Sequence, residues 1–302
     1  VIGPASVPVP PIARFVWDLT YACPLRCLHC FTESGRRDHA TMSRTDALRV
    51  AGIIAAARPQ RVSLGGGEPL VVPWWDEAAW LLTEAGIPVT VFTSGWIMSE
   101  SLARRAADSV TAVAVSMDGA SASVHDYIRG RVGSFDRAMA ALEHLARVKR
   151  DRQAAGARTH RLGLEYTVTR SGWHEVEDFV SDMTERFPEL DYINFGAVIP
   201  EGLAQEEAFV ERELLSDDQL AQLSAAEPAL AARARNAAEV KVVDARSFLP
   251  AGPYSGAGDG VAHIEADGQF RASTNFEAKV GNVLTEPLAE LWSRALSWRA
   301  DP

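Results

Sequence analysis

Cys23, Cys27 and Cys30 are the only cysteines in the 302-residue chain, and all three fall in the short stretch Tyr21-Ala-Cys-Pro-Leu-Arg-Cys-Leu-His-Cys30. An odd, crowded set makes a poor disulfide framework, and free core thiols have no reason to gather in one loop, so the pattern points to a metal site. Two chemistries fit it. A structural zinc needs a fourth ligand, which His29 or His39 can supply, whereas an iron–sulfur cluster can be held by three thiolates with one iron left open to another ligand.

The elements that must position this loop can be read from the alternation of apolar runs. Arg14-Phe-Val-Trp-Asp-Leu-Thr20 reads as a strand running straight into the cysteines. Further strands are expected at Arg61–Gly65, Pro88–Thr93, Val113–Met117, Leu162–Val168 and Tyr192–Phe195. Helices are expected between them at Thr41–Ala57 with Ser43 as N-cap, Trp74–Ala85, Glu100–Ala107, Phe135–Val148 and Val176–Phe187. Strands and helices alternating at this spacing make right-handed βαβ units. The expected fold is therefore α/β, a partial (β/α)6 TIM-type barrel over residues 1–200. In such barrels the loops after the strands carry chemistry, and the cysteine loop, Gly65-Gly-Gly67, Thr93-Ser94-Gly95 and Ser116-Met-Asp-Gly119 all hold that position.

Beyond Pro200 the pattern changes, which sets residues 201–302 apart as a small α+β extension. It reads as an acidic, Ala-rich helical stretch from Glu206 to Ala238, a strand at Val240–Val243 and a Gly-rich loop, Gly252–Gly258. A hairpin from Ala262 to Arg271 turning at Asp267-Gly268 and a last helix from Leu288 to Ala300 follow.

A hydrophobic share of 47% with 23% charged residues and eight Trp supports a folded core. The net charge of −10 disfavours nucleic-acid partners, since it repels phosphate backbones over most of the surface. No apolar run approaches membrane-spanning length and the Pro-rich start lacks a signal-peptide pattern, so the expected location is the cytoplasm, away from membranes.

The Cys-x3-Cys-x2-Cys spacing after a first strand resembles the radical S-adenosylmethionine (SAM) superfamily, and later loops agree with it over the first 170 residues or so. Gly65-Gly66-Gly67-Glu68-Pro69 is similar to the family's segment for the SAM amino group. Ser116-Met-Asp118-Gly followed by Tyr127-Ile-Arg129-Gly is similar to its ribose- and carboxylate-binding pair. The resemblance implies a 4Fe-4S cluster on Cys23, Cys27 and Cys30, with Glu68 toward the amino group, Ser116, Asp118 and Arg129 toward ribose and carboxylate, Ser94 in a polar role, and Val168 with Thr169 flanking adenine. It implies that His29 shields the cluster edge and that a flavodoxin or ferredoxin supplies electrons.

Within the superfamily the chain resembles the SPASM/twitch branch of mycofactocin and pyrroloquinoline-quinone maturases, carried by Trp17-Asp-Leu-Thr-Tyr-Ala-Cys23, Gly133-Ser-Phe-Asp136 and Gly281-Asn-Val283. Those relatives hold auxiliary clusters in the C-terminal region. Here Ser255, Ala262 and Ser273 stand at the cysteine-like positions, so residues 201–302 are expected to bind no metal and to cover the barrel mouth. The expected function is hydrogen abstraction from a peptide or from a sugar- or nucleoside-like small molecule in specialised metabolism, with Glu165, Tyr166, Asn194 and Phe195 as candidates to line the substrate site. A non-catalytic iron–sulfur or zinc scaffold is the alternative.

Overall fold

The computed structural model describes residues 10–243, 260–274 and 276–300. Its spine is one ten-stranded sheet in the order β10-β9-β8-β1-β2-β3-β4-β5-β6-β7. The first six strands are β1 (Arg14–Thr20), β2 (Arg61–Gly66), β3 (Val89–Thr93), β4 (Ala112–Met117), β5 (Arg161–Val168) and β6 (Tyr192–Ala197), each parallel to the next. Helices α1 (Arg44–Ala57), α2 (Trp75–Glu84), α3 (Glu100–Ser109), α5 (Ser134–Ala154) and α6 (Val176–Arg186) form the crossovers. Ser43 caps α1 as the sequence predicts, its side chain accepting from the Asp46 N–H.

Side chains alternate across the sheet, and the two faces differ sharply. Phe15, Trp17 and Leu19 of β1, Val113 and Val115 of β4, and Leu162, Leu164 and Tyr166 of β5 are buried on the helix side, in one continuous core. Val16, Asp18, Ser63, Ser116, Glu165 and Asn194 face inward, and the sheet curls so that β1, β2, β5, β6 and β7 line a common cavity. The chemistry-bearing side chains therefore come from the positions between the core residues.

Two features depart from the sequence expectation. The strand β7 (Glu239–Val243) pairs in parallel with β6, so the parallel run crosses residue 200. It is preceded by α7 (Glu207–Glu213), α8 (Asp217–Ala225) and α9 (Glu227–Arg233), the expected helical stretch in three pieces. The short helix α4 (Ala122–Arg129) was not expected; Ser121 caps its start and Gly130, in the left-handed conformation, closes it.

The hairpin is found as β8 (Val261–Ile264) and β9 (Gln269–Arg271), followed by β10 (Lys279–Asn282) and α10 (Leu288–Ala300). β8 lies parallel to β1, which places the hairpin beside the strand that leads into the cysteines. Ala262 is fully buried in the core. The expected loop Gly252–Gly258, with Ser255, lies outside the described residues.

Candidate metal and cofactor centre

β1 delivers the chain into the cysteine loop, and the loop is held from two sides. On the inside, Gly66 has φ +104° and a Cβ there would sit 2.5 Å from the Thr20 carbonyl oxygen, so the glycine run packs directly on the start of the loop. On the outside, the Arg26 N–H donates to the Arg129 carbonyl (3.1 Å) and the Leu28 N–H to that of Ile128 (2.8 Å), strapping the loop to the end of α4. Gly130 allows this approach, since a Cβ there would lie 2.2 Å from the Arg26 carbonyl oxygen. Arginines complete the clamp: Arg26 donates to the carbonyls of Cys23 (3.0 Å) and Leu25 (2.7 Å), Arg36 to those of Cys27 (3.0 Å) and Arg26 (2.8 Å), and Arg131 to that of Pro24.

The loop turns all three thiols toward one cavity of about 550 Å³. Gly65, Gly66, Gly67, Ser94, Ser116 and Arg129 line the same space, so most of the residues expected from the sequence converge there. All three cysteines are free thiols. Burial pushes the Cys23 thiol up to about 11 and that of Cys27 up to about 12, so a bound cation is needed to hold them as thiolates at neutral pH. Among the described residues, no three His, Cys, Asp or Glu side chains are gathered to hold a single metal ion. Three thiols lining one cavity can each take a different iron of a cluster, whereas a structural zinc would need a fourth ligand beside them.

Asp118 is fully buried behind the cavity and organises its floor. Its carboxylate pairs with Arg129 through Nε (2.5 Å) and Nη2 (2.9 Å), and with His29 Nε2 at 3.0 Å. Burial opposes its ionisation, yet the charges of Arg129 and His29 outweigh that and hold Asp118 well below the usual carboxylate range. The remaining corner of the guanidinium, Nη1, faces the Cys27 Sγ at 4.0 Å. Asp118 thus does not line the cavity; it aims Arg129 into it.

Glu68 is likewise a supporting residue and not a wall of the cavity. Its buried carboxylate accepts from Thr93 Oγ1 (2.8 Å), the Ser94 N–H (3.0 Å) and Ser94 Oγ (2.5 Å), and it also caps the Leu70 N–H (3.3 Å). Burial raises its pKa despite these donors. The residue expected to orient an ammonium directly is occupied in fixing Ser94, which does line the cavity.

Three sequence expectations fail on the alternation of β5 and β6. Tyr166 points to the helix side, its ring 4.7 Å from Phe179 and 5.3 Å from Phe195, and its hydroxyl donates to the Gly172 carbonyl at 3.3 Å. Phe195 and Val168 are fully buried on that side too. Thr167, one residue earlier than Val168, is the side chain that reaches the cavity. Thr169 is buried as well, its Oγ1 accepting from the Gly172 N–H.

Glu165 and Asn194 do face inward, but one layer deeper. They are linked by Asn194 Nδ2 donating to Glu165 Oε1 (2.9 Å) and line a second cavity that shares Val16, Ser63, Phe92 and Thr274 with the first. Desolvation there pushes the Glu165 carboxyl up to about 7, opposed by Asn194 and Arg61.

The sequence reading missed a further pair. Asp18 on β1 and His263 on β8 meet at 2.9 Å (Oδ2 to Nε2), both almost fully buried, and both border the thiol-lined cavity. They are 245 residues apart, and only the β1–β8 pairing brings them together.

A family model for the radical SAM superfamily matches residues 17–211. The mycofactocin maturase MftC of Mycobacterium ulcerans (strain Agy99) is 37% identical over 166 residues, covering 55% of this chain and 42% of that protein. Pre-heme d1 synthase of Dinoroseobacter shibae (strain DSM 16493 / NCIMB 14021 / DFL 12) is 26% identical over a 329-residue alignment covering 95% of this chain and 76% of that protein. The chain spans less than half the length of the MftC sequence it matches. Among solved structures, Streptococcus suis SuiB bound to precursor peptide SuiA superposes with a TM-score of 0.73 at 15% identity, over 93% of this chain and 64% of that one. At that identity the likeness shows a shared fold.

Proposed function

Because the chain belongs to the radical SAM superfamily, we propose that it is a peptide-modifying member that works with a single 4Fe-4S cluster held by Cys23, Cys27 and Cys30. The observation that carries this reading is the convergence of three free thiols, Cys27 buried and Cys23 and Cys30 half-buried, with Gly65–Gly67, Ser94, Ser116 and Arg129 on one cavity. Bound together, the cluster and SAM supply one-electron cleavage of the sulfonium and, from it, a radical able to take hydrogen from an unactivated C–H bond.

The chain's own part is binding, orientation and shielding. Arg129, its Nε and Nη2 held by Asp118, turns the Nη1 corner of its cation to the cavity for the SAM carboxylate, and Ser116 lines the same space. The Gly65–Gly67 backbone and Ser94, fixed by Glu68, present donors and acceptors to the other end of the amino acid. His29 is held by Asp118 at the edge of the thiol site. Asp18 of β1 and His263 of the C-terminal hairpin together form a polar wall, and Glu165 with Asn194 lies in the deeper layer, where a substrate group can extend.

Support for a peptide substrate comes from the maturase relative and from the SuiB structure, which holds a precursor peptide. The single cluster is supported by Ala262 and Ser273, which stand where the branch would have cysteines. A small-molecule substrate is the second reading, favoured by the near full-length alignment with a protein named for a heme precursor. Reconstitution with iron and sulfide followed by dithionite reduction in the presence of SAM tests the core of the proposal. About four irons per chain and formation of 5′-deoxyadenosine are expected; absence of SAM cleavage in the reconstituted protein would leave only the scaffold alternative.

A further inference from the structure

One inward-facing row of the sheet carries a base that the groups assigned to SAM do not engage. His263 on β8, Val16 on β1 and Ser63 on β2 are register partners, so they lie side by side across three strands. All three border the thiol-lined cavity, and Val16 and Ser63 border the deeper one as well, which puts the row at the neck between the two. Ser63 is two residues, about 7 Å, further into the barrel than Gly65 of the glycine run. Gly65–Gly67, Ser94, Ser116 and Arg129 come from the ends of β2, β3 and β4 and from α4. The β1–β8 wall is left for another occupant.

His263 is oriented as a base. Its Nε2 lies 2.9 Å from Asp18 Oδ2, and both residues are 2% exposed. A carboxylate only accepts, so the hydrogen sits on Nε2 and the lone pair on Nδ1. That Nδ1 is buried and has no hydrogen-bond partner. An acceptor shielded from water and left unpaired is unfavourable, and a donor brought by a ligand removes that cost. The neighbouring donors are spent elsewhere: Arg271, the register partner of His263 on β9, and Tyr21 both donate to Glu265. On the other side of Val16, the Ser63 hydroxyl faces the same neck. A hydroxyl seated over Val16 can therefore give its hydrogen to Nδ1 and accept one from Ser63, which an amide N–H cannot do.

We propose that Asp18 and His263 are the proton-accepting pair for a substrate whose reacting carbon carries a hydroxyl. The inference rests on the functional reading above and names the substrate class. His263 is the group that touches the substrate; Asp18 is a positioning residue that fixes its tautomer and ring. As the carbon loses its hydrogen atom to the 5′-deoxyadenosyl radical, one C–H bond breaks and that of 5′-deoxyadenosine forms. A hydroxyl on a carbon radical is far more acidic than in the parent alcohol, and its proton passes to Nδ1. The products are 5′-deoxyadenosine, a ketyl radical anion and an imidazolium paired with Asp18. Atoms, electrons and charge balance in this step with no further oxidant or reductant.

The test uses the full chain and, as probe, 2-propanol with deuterium on its central carbon; isopropyl methyl ether with the same label is the probe that lacks a hydroxyl. In reconstituted protein with SAM and dithionite, the readout is the fraction of 5′-deoxyadenosine that carries deuterium, which is normalised to each cleavage. The wild type is expected to take deuterium from the alcohol and about tenfold less from the ether. His263→Gln, whose amide can still donate to Asp18, should lower the alcohol fraction by about tenfold and leave the ether fraction unchanged, and Asp18→Asn should fall between. Nitrogen NMR of histidine-labelled protein, assigned with His263→Gln, is a second readout that needs no cluster, and it should show hydrogen on Nε2 and a bare Nδ1. No deuterium transfer in the wild type, equal transfer from alcohol and ether, an unchanged fraction in His263→Gln, or hydrogen on Nδ1 overturns the proposal. Should dithionite drive no SAM cleavage, the functional reading fails, while the same NMR signal titrated with 2-propanol still decides the site: a shifted Nδ1 resonance supports it and an unmoved one overturns it.

Discussion

The cysteine loop and the β8–β9 hairpin leave neighbouring, paired strands, yet they answer the problem of buried polar groups in opposite ways. In the loop, desolvation of the thiols outweighs the one nearby cation, Arg129, and Cys27 is pushed up to about 12. That cost is removed only when something cationic binds. In the hairpin the matching charges are already present: buried Glu265 accepts from Tyr21 Oη (2.7 Å) and Arg271 Nε (2.6 Å), and Lys279 Nζ lies 2.9 Å away. Burial opposes ionisation of Glu265, but Arg271, Lys279 and Tyr21 outweigh it and hold its pKa below the ordinary value. One carboxylate with three donors thus ties β8, β9 and β10 to the residue that opens the cysteine loop. The difference lies in what each region still needs: the loop's thiols call for a bound cation, whereas the hairpin's buried carboxylate already has its charged partners.

The largest effect follows from breaking the side that still needs a partner. Replacing Cys23, Cys27 and Cys30 together with Ala should remove all bound iron and all SAM cleavage, since the chain has no other cysteine. Iron analysis and 5′-deoxyadenosine assay check this. A second cluster signal in that variant would show that the hairpin region does hold metal.

Breaking the side whose charges are already matched should cost stability instead of chemistry. Glu265→Ala leaves Arg271 buried without its carboxylate, which is expected to destabilise the fold by about 3–5 kcal/mol. Urea denaturation measures that loss, and iron loading of the still-folded fraction should remain near the wild-type value. If Glu265→Ala lost iron with unchanged stability, the hairpin would be part of the metal site and the contrast between the two regions would fail.

These two regions were not equally legible in the sequence. The cysteines, the glycine run and the Ser116-x-Asp118 segment act through spacing within a few residues, and a strand followed by a loop keeps that spacing in space. Tyr166 and Val168 failed because Leu162-Gly-Leu-Glu-Tyr-Thr-Val168 is apolar enough to hide its period, and a one-residue shift sends a side chain into the helices. Asp18–His263 and Tyr21–Glu265 join residues more than 240 positions apart, and nothing local marks them. The arginine clamp is hidden for another reason: its acceptors are backbone carbonyls, which have no signature in composition.

A smaller effect concerns Arg129, which sits at the border of the loop. Arg129→Ala should weaken SAM binding by on the order of 2 kcal/mol, the scale of a lost charged hydrogen bond. Because it also strands the buried Asp118 carboxylate, the double variant Asp118→Asn/Arg129→Ala is the cleaner measurement. Calorimetry on the reconstituted double variant should show weakened SAM binding with the cluster absorbance retained. Unchanged affinity would remove Arg129 from the cofactor site and leave the pair as scaffolding.

The finest test lies in the deeper cavity, where Glu165 accepts from Asn194 and forms no ion pair among the described residues. Its carboxyl is pushed up to about 7 in the fold, against about 4.3 for an unperturbed Glu. Between those values the folded chain binds a proton that the unfolded chain has released, so this group's contribution to stability falls as pH rises through the window. Glu165→Gln removes the titration and can keep the hydrogen bond from Asn194 through its amide oxygen. The variant should therefore gain stability relative to the wild type as pH is raised from 5 to 8, with little difference near the lower end. Urea midpoints at both pH values check the sign. A gain independent of pH would mean that Glu165 stays ionised throughout, and that the deeper cavity, like the hairpin, already supplies the charge it needs.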